Sequence, residues 1–138
     1  KDLDAAFEME KDENLLLEKS AVLLKLGKFK DAIAILYELN GKYPGNPSIL
    51  YDLYLAYRGL GYYNNSLYII SRLYETRKTP FYLKEKSYLL FEIGDYESSA
   101  IEFFRYMKLI KPSKEDYEFY SRISKKTGYL KLKSESER

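Results

Sequence analysis

Four glycines recur along this chain at nearly constant spacing. Gly27 stands in Leu-Gly-Lys-Phe, Gly61 in Leu-Gly-Tyr-Tyr, Gly94 in Ile-Gly-Asp-Tyr and Gly128 in Thr-Gly-Tyr-Leu, 34, 33 and 34 residues apart. A fixed period in the thirties is the mark of a repeat whose units stack on their neighbours, because one such unit cannot bury its own apolar face. A glycine at the end of an apolar-periodic run suits the left-handed residue that closes a helix. The stretches between the glycines show helical spacing and no strict alternation, so the chain reads as all-α.

Taken in order, residues 1–12 predict an N-terminal helix or the tail of a preceding repeat, with Leu3, Ala6 and Phe7 on one face. A helix is expected over about 13–26, with Leu16, Leu23 and Leu26 on one side, and its partner over 29–42. Tyr43-Pro44-Gly45-Asn46-Pro47 is a dense breaker. Pro47 and Pro80 suit the first turn of a helix, where a missing N–H costs nothing. The expected units are 13–46, 47–79 and 80–113, followed by a capping helix over 114–126 and a frayed tail over 127–138.

Composition narrows the chemistry. The 138 residues hold no cysteine and no histidine, which removes disulfides, thiolate metal sites and the commonest general base. No Gly-rich phosphate loop is present, and the acids Glu10, Asp12, Glu13 and Glu115, Asp116, Glu118 read as solvated helix starts. The expectation is a non-enzymatic chain with no catalytic residue, no metal, no cofactor and no small-molecule substrate. Lys and Arg total 23 against 21 acids, and this balance gives little attraction for nucleic acid or an anionic membrane. No apolar run approaches transmembrane length. Compartment stays open between the cytoplasm and a bacterial periplasm or envelope.

Each turn glycine is followed two residues later by an aromatic (Phe29, Tyr63, Tyr96) and five residues later by a small residue (Ala32, Ser66, Ser99). Nine after it come Leu36, Ile70 and Phe103, and seven before it Ser20, Ser87 and Ser121, with Tyr54 out of pattern. On these positions the chain resembles the tetratricopeptide-repeat family, with about three and a half repeats over 13–126. The resemblance implies a right-handed α-solenoid of antiparallel helix hairpins. It places Tyr57, Tyr63, Tyr96, Tyr106, Tyr117 and Tyr120 in the core, and implies that the second hairpin is opened or tilted at Tyr54.

In that family the first helix of each unit lines a concave, partner-binding face. Carried over, that face holds Leu17, Ala21 and Leu24 from the first unit, Tyr51, Leu55 and Arg58 from the second, and Phe81, Lys84, Tyr88 and Phe91 from the third. The last helix would add Glu115, Glu118, Arg122 and Lys125. An apolar and aromatic groove with basic edges suits an amphipathic helix or extended peptide. The implied function is a protein-interaction module or scaffold subunit. Two other readings stand beside it: a helical repeat that binds nucleic acid, with bases stacked on the aromatics, and a groove filled by the chain's own termini. Leu17, Ala21 and Asp52 stand where one chaperone-binding subtype has carboxylate-clamping lysine and asparagines, so that activity is not expected.

Overall fold

The computed structural model describes residues 9–136, with side chains described from 9 to 128. The expected N-terminal segment therefore falls largely outside the described residues. Among those described, the chain forms seven α-helices and no strand: α1 (Lys11–Lys25), α2 (Phe29–Lys42), α3 (Pro47–Gly59), α4 (Tyr63–Arg77), α5 (Pro80–Ile93), α6 (Tyr96–Leu109) and α7 (Lys114–Ser136). The chain divides into two compact units, Lys1–Ile69 and Ile70–Arg138, with the division inside α4.

Three hairpin turns share one construction. Gly27, Gly61 and Gly94 have φ of +75°, +78° and +99°, a region where a side chain would be strained. The amide after each glycine donates back to the residue four before it: Lys28 to Leu23 O at 2.9 Å, Tyr62 to Tyr57 O at 2.8 Å, Asp95 to Leu90 O at 3.0 Å. The glycine amides donate to Leu24, Arg58 and Phe91 O. These paired bonds satisfy carbonyls that the helix end leaves open. The next helix starts at once, so the two helices must run antiparallel and close.

Closeness is then set by small residues. Ala32, Ser66 and Ser99 are wholly buried. Ser99 Oγ donates to Ser87 O across the α5–α6 crossing at 2.7 Å, and Ser66 Oγ donates to Tyr54 O across the α3–α4 crossing at 2.9 Å. At Tyr54, where the resemblance implies an opened or tilted hairpin, the crossing keeps the same hydrogen bond. Only the Tyr54 backbone is needed at the crossing, and its ring turns aside into full burial.

In unit 1, α1 and α2 form one hairpin, and α3 packs on both. Ala32, Leu36, Leu39, Ile49 and Leu53 make the buried core, with Leu17, Leu23, Leu24, Tyr43 and Tyr57 packed around it. The α3 end approaches the α2 start so closely that a Cβ on Gly59 would lie 2.3 Å from the Phe29 ring. α3 opens at Asn46, whose Oδ1 accepts from the Ser48 and Ile49 amides, with Pro47 in the first turn. α1 begins at Lys11, earlier than expected, because Glu10 and Glu13 cap one another's backbone amides. Glu13 also pairs with Lys42 at 2.5 Å and accepts from the Tyr43 hydroxyl, tying the start of α1 to the end of α2. The Lys42 ammonium, then Tyr43, hold the Glu13 carboxyl below its ordinary range. Of the side that the spacing gives to Leu16, Leu23 and Leu26, only Leu23 packs on the core; Leu16 is 42% and Leu26 64% exposed, and Leu15 and Val22 are exposed too.

In unit 2, α5 and α6 form a hairpin and α7 packs on α6. Leu83, Phe103, Tyr106 and Ile123 form one buried cluster in it. The Phe119 ring stands edge-on to Tyr88 at 4.7 Å, Phe103 at 4.8 Å and Phe91 at 5.4 Å. Glu102 is buried but paired with Lys86 at 2.8 Å and Arg105 at 2.6 Å. α7 is capped reciprocally: the Ser113 amide donates to Asp116 Oδ2 and the Asp116 amide to Ser113 Oγ.

Two expectations fail on α7. The helix does not end near 126; it passes through Gly128 to Ser136. Gly128 is not among the positive-φ glycines, and nothing lies within 4 Å of where its Cβ would be. A glycine inside a helix costs only about 1 kcal/mol, and the residues after it are helix formers. Tyr117 is 58% exposed rather than buried. The stripe that α7 turns inward runs through Phe119, Tyr120 and Ile123, and Tyr117 lies off it.

Candidate partner-binding faces

The expected groove residues fall in both units, six on α1 and α3 of unit 1 and four on α5 of unit 2. All six in unit 1 are half-buried. Leu17 and Leu24 rest on the core cluster, so this face is a thin apolar layer above Leu36 and its neighbours. From α3 come Tyr51, Leu55 and Arg58, one turn apart on a helix that packs against α1.

Tyr54 organises this face from beneath. Its phenol oxygen accepts from Arg58 Nη1 at 2.7 Å, and the guanidinium carbon lies 5.9 Å from the ring centre. The Tyr51 ring lies 5.5 Å from the Tyr54 ring. A wholly buried aromatic thus sets the place of both the neighbouring aromatic and the basic group. The sequence signal for this was the one that looked like a defect: a large polar-tipped ring where the repeat calls for a small residue.

Asp52, at a clamp position of the chaperone-binding subtype, is not among the expected groove residues. It follows Tyr51 directly and lies one turn from Ser48 and Leu55. It is half-buried, and burial pushes its carboxyl up to about 6. An unpaired carboxylate brought out of water favours its neutral form.

On α5 the four expected residues have different surroundings. Phe81 is 46% exposed. Tyr88 and Phe91 turn part of their rings into the cluster around Phe119. The Lys84 ammonium lies 3.9 Å from Asp116 and over the Tyr88 and Tyr106 rings at 5.7 and 5.6 Å. Burial pulls the Lys84 pKa down, but the two phenols and Asp116 outweigh it, and the net shift is upward. Three of these four residues therefore hold α5, α6 and α7 together as well as facing outward. On α7, Glu118, Arg122 and Lys125 line an open depression with Lys114, Tyr117 and Ser121, all from one helix.

No protein-family model and no curated protein matches this chain. Solved structures do match. MamA from Desulfovibrio magneticus RS-1 is 18% identical, with a TM-score of 0.78 over 90% of this chain and 71% of that one. The Sgt2 TPR domain from Aspergillus fumigatus is 12% identical, with a TM-score of 0.76 over 91% of this chain and 85% of that one. The Yersinia enterocolitica type III secretion chaperone SycD, in complex with a peptide of the translocator YopD, is 19% identical, with a TM-score of 0.70 over 91% of this chain and 97% of that one. These likenesses show the fold: the chain is built as tetratricopeptide-type helical repeats.

Proposed function

We propose that this chain is a non-enzymatic protein-interaction module that binds a helical or extended peptide segment of a partner protein. The observation that carries the reading is the α1–α3 face, where apolar groups and Tyr51 are half-buried above the core and a tyrosine-anchored Arg58 stands beside them. Half-buried aromatic and aliphatic groups gain by finishing their burial against a partner. Arg58 is already held, so less side-chain freedom is lost when it meets a partner group. The YopD peptide bound to SycD supports a peptide as the ligand class for a fold of this kind. Phe81 on α5 offers a further aromatic contact, whereas Tyr88 and Phe91 contribute more to unit 2 itself.

The test is crosslinking and capture of partners by the wild type, Tyr51→Ala and Tyr88→Ala, with thermal unfolding run alongside. Tyr51→Ala is expected to lower partner recovery about tenfold or more, the loss typical of an aromatic anchor, while leaving the fold intact. Unchanged recovery with Tyr51→Ala would remove the α1–α3 face from the proposal.

A further inference from the structure

The chain contains several buried or half-buried acids, and nearly all are answered. Glu102 has Lys86 and Arg105. Asp116 has the Ser113 amide and Lys84. Glu13 has Lys42 and the Tyr43 hydroxyl. Asp52 is the exception: it is half-buried on α3, and among the described residues no hydrogen bond and no neighbouring charge answers its carboxyl, which feels burial alone. Arg58, on the same helix, directs its Nη1 to Tyr54 instead. A half-buried carboxylate with nothing opposite it is costly, and the cost falls when a cation arrives. This carboxylate sits one turn from Leu55 and next to Tyr51, beside the apolar face described above.

We infer that Asp52 receives a lysine or arginine side chain of the partner segment, so that the α1–α3 face selects a basic residue flanked by apolar ones. The inference rests on the peptide-binding reading of that face and adds its charge requirement. The geometry separates the two jobs. Leu17, Leu24, Tyr51 and Leu55 meet apolar side chains of any order. Asp52 alone supplies the acceptor, so it fixes register: a partner shifted by one residue would put an apolar group against a carboxylate. Arg58 stands on the same face and disfavours a second cation near it, which confines the preference to one basic position. A charge-assisted bond in such a half-dry site is worth about ten- to a hundredfold in affinity.

The experiment is selection of a phage-displayed random dodecapeptide library on the immobilised full chain, as wild type, Asp52→Asn, Asp52→Lys and Tyr51→Ala. Circular dichroism and melting accompany each variant; Asp52→Asn is expected to be folded, since it removes an unanswered charge. Wild type should enrich peptides with one Lys or Arg between apolar residues. Asp52→Asn should lose that preference while still enriching apolar peptides, and Asp52→Lys should turn it toward Asp or Glu. A synthetic copy of the leading peptide should lose about tenfold or more in affinity when its basic residue becomes norleucine, on wild type but not on Asp52→Asn. If wild type and Asp52→Asn enrich the same basic peptides, the charge assignment is overturned while the face survives. If nothing is enriched, or enrichment ignores Tyr51→Ala as well, the face and the charge assignment fall together.

Discussion

At Tyr54 the residue and the repeat disagree, and the residue holds its place because it does work elsewhere. The hairpin crossing needs a carbonyl at this position, which any residue supplies, and Ser66 Oγ bonds to it at 2.9 Å. The ring is free to fill core and to hold Arg58. Restoring the repeat with Tyr54→Ser should therefore destabilise, by about 3–4 kcal/mol for the cavity left behind, as read by urea unfolding. A neutral result would show the ring to be dispensable. Asp52 makes the opposite case, a group that weakens its own fold. Its carboxyl ionises at about 6 in the folded chain against an ordinary 3.8. The folded state therefore binds the proton more tightly, and this contribution to stability is full below 3.8 and lost as pH rises through about 6. Asp52→Asn should match wild type near pH 4 and be more stable above pH 7. The gain is about 1 kcal/mol, kept small because water still reaches the side chain. Melting curves across that range decide it.

Between elements, two glycines have jobs that their positions in sequence do not distinguish. Gly94 closes α5 with φ of +99°, while Gly128 lies inside α7. Gly94→Ala should cost about 1–2 kcal/mol in the turn, and Gly128→Ala should add up to about 1 kcal/mol through helix propensity. Opposite signs in paired denaturation curves are the expected outcome. Gly59 is different again, for it lies inside α3 where alanine ordinarily stabilises. Here its missing side chain admits the Phe29 ring, and an added Cβ would sit 2.3 Å from it. Gly59→Ala should destabilise by about 1–2 kcal/mol in wild type and cease to do so in a Phe29→Ala background. The double-mutant cycle reads that coupling. The turns were legible because glycine, capping residue and period are local signals. The Phe29–Gly59 approach was not, since the two residues stand thirty apart and only folding brings them together.

For the whole molecule, 23 basic and 21 acidic residues leave a net charge of +2. No long-range field then dominates association, and partner affinity should fall by no more than about threefold from low to physiological ionic strength. Binding through nucleic-acid phosphates would fall by about a thousandfold over a similar change, so a salt titration separates the two classes of partner. Among the described residues, seven helices, three hairpin turns and their order follow from the 33- and 34-residue glycine period. Helix spacing and left-handed closure act over a few residues, and sequence alone therefore determines them. The spacing of Tyr51, Leu55 and Arg58 along one side of α3 could be counted from the same glycines. What they touch could not. That Tyr54 turns under them, that Asp52 is half-buried with no partner among the described residues, that Tyr88 and Phe91 join the Phe119 cluster, and that α7 runs through its glycine were decided by the tertiary structure. Each depends on which side chains from other helices fill the space around a residue, and that is settled only when the helices pack.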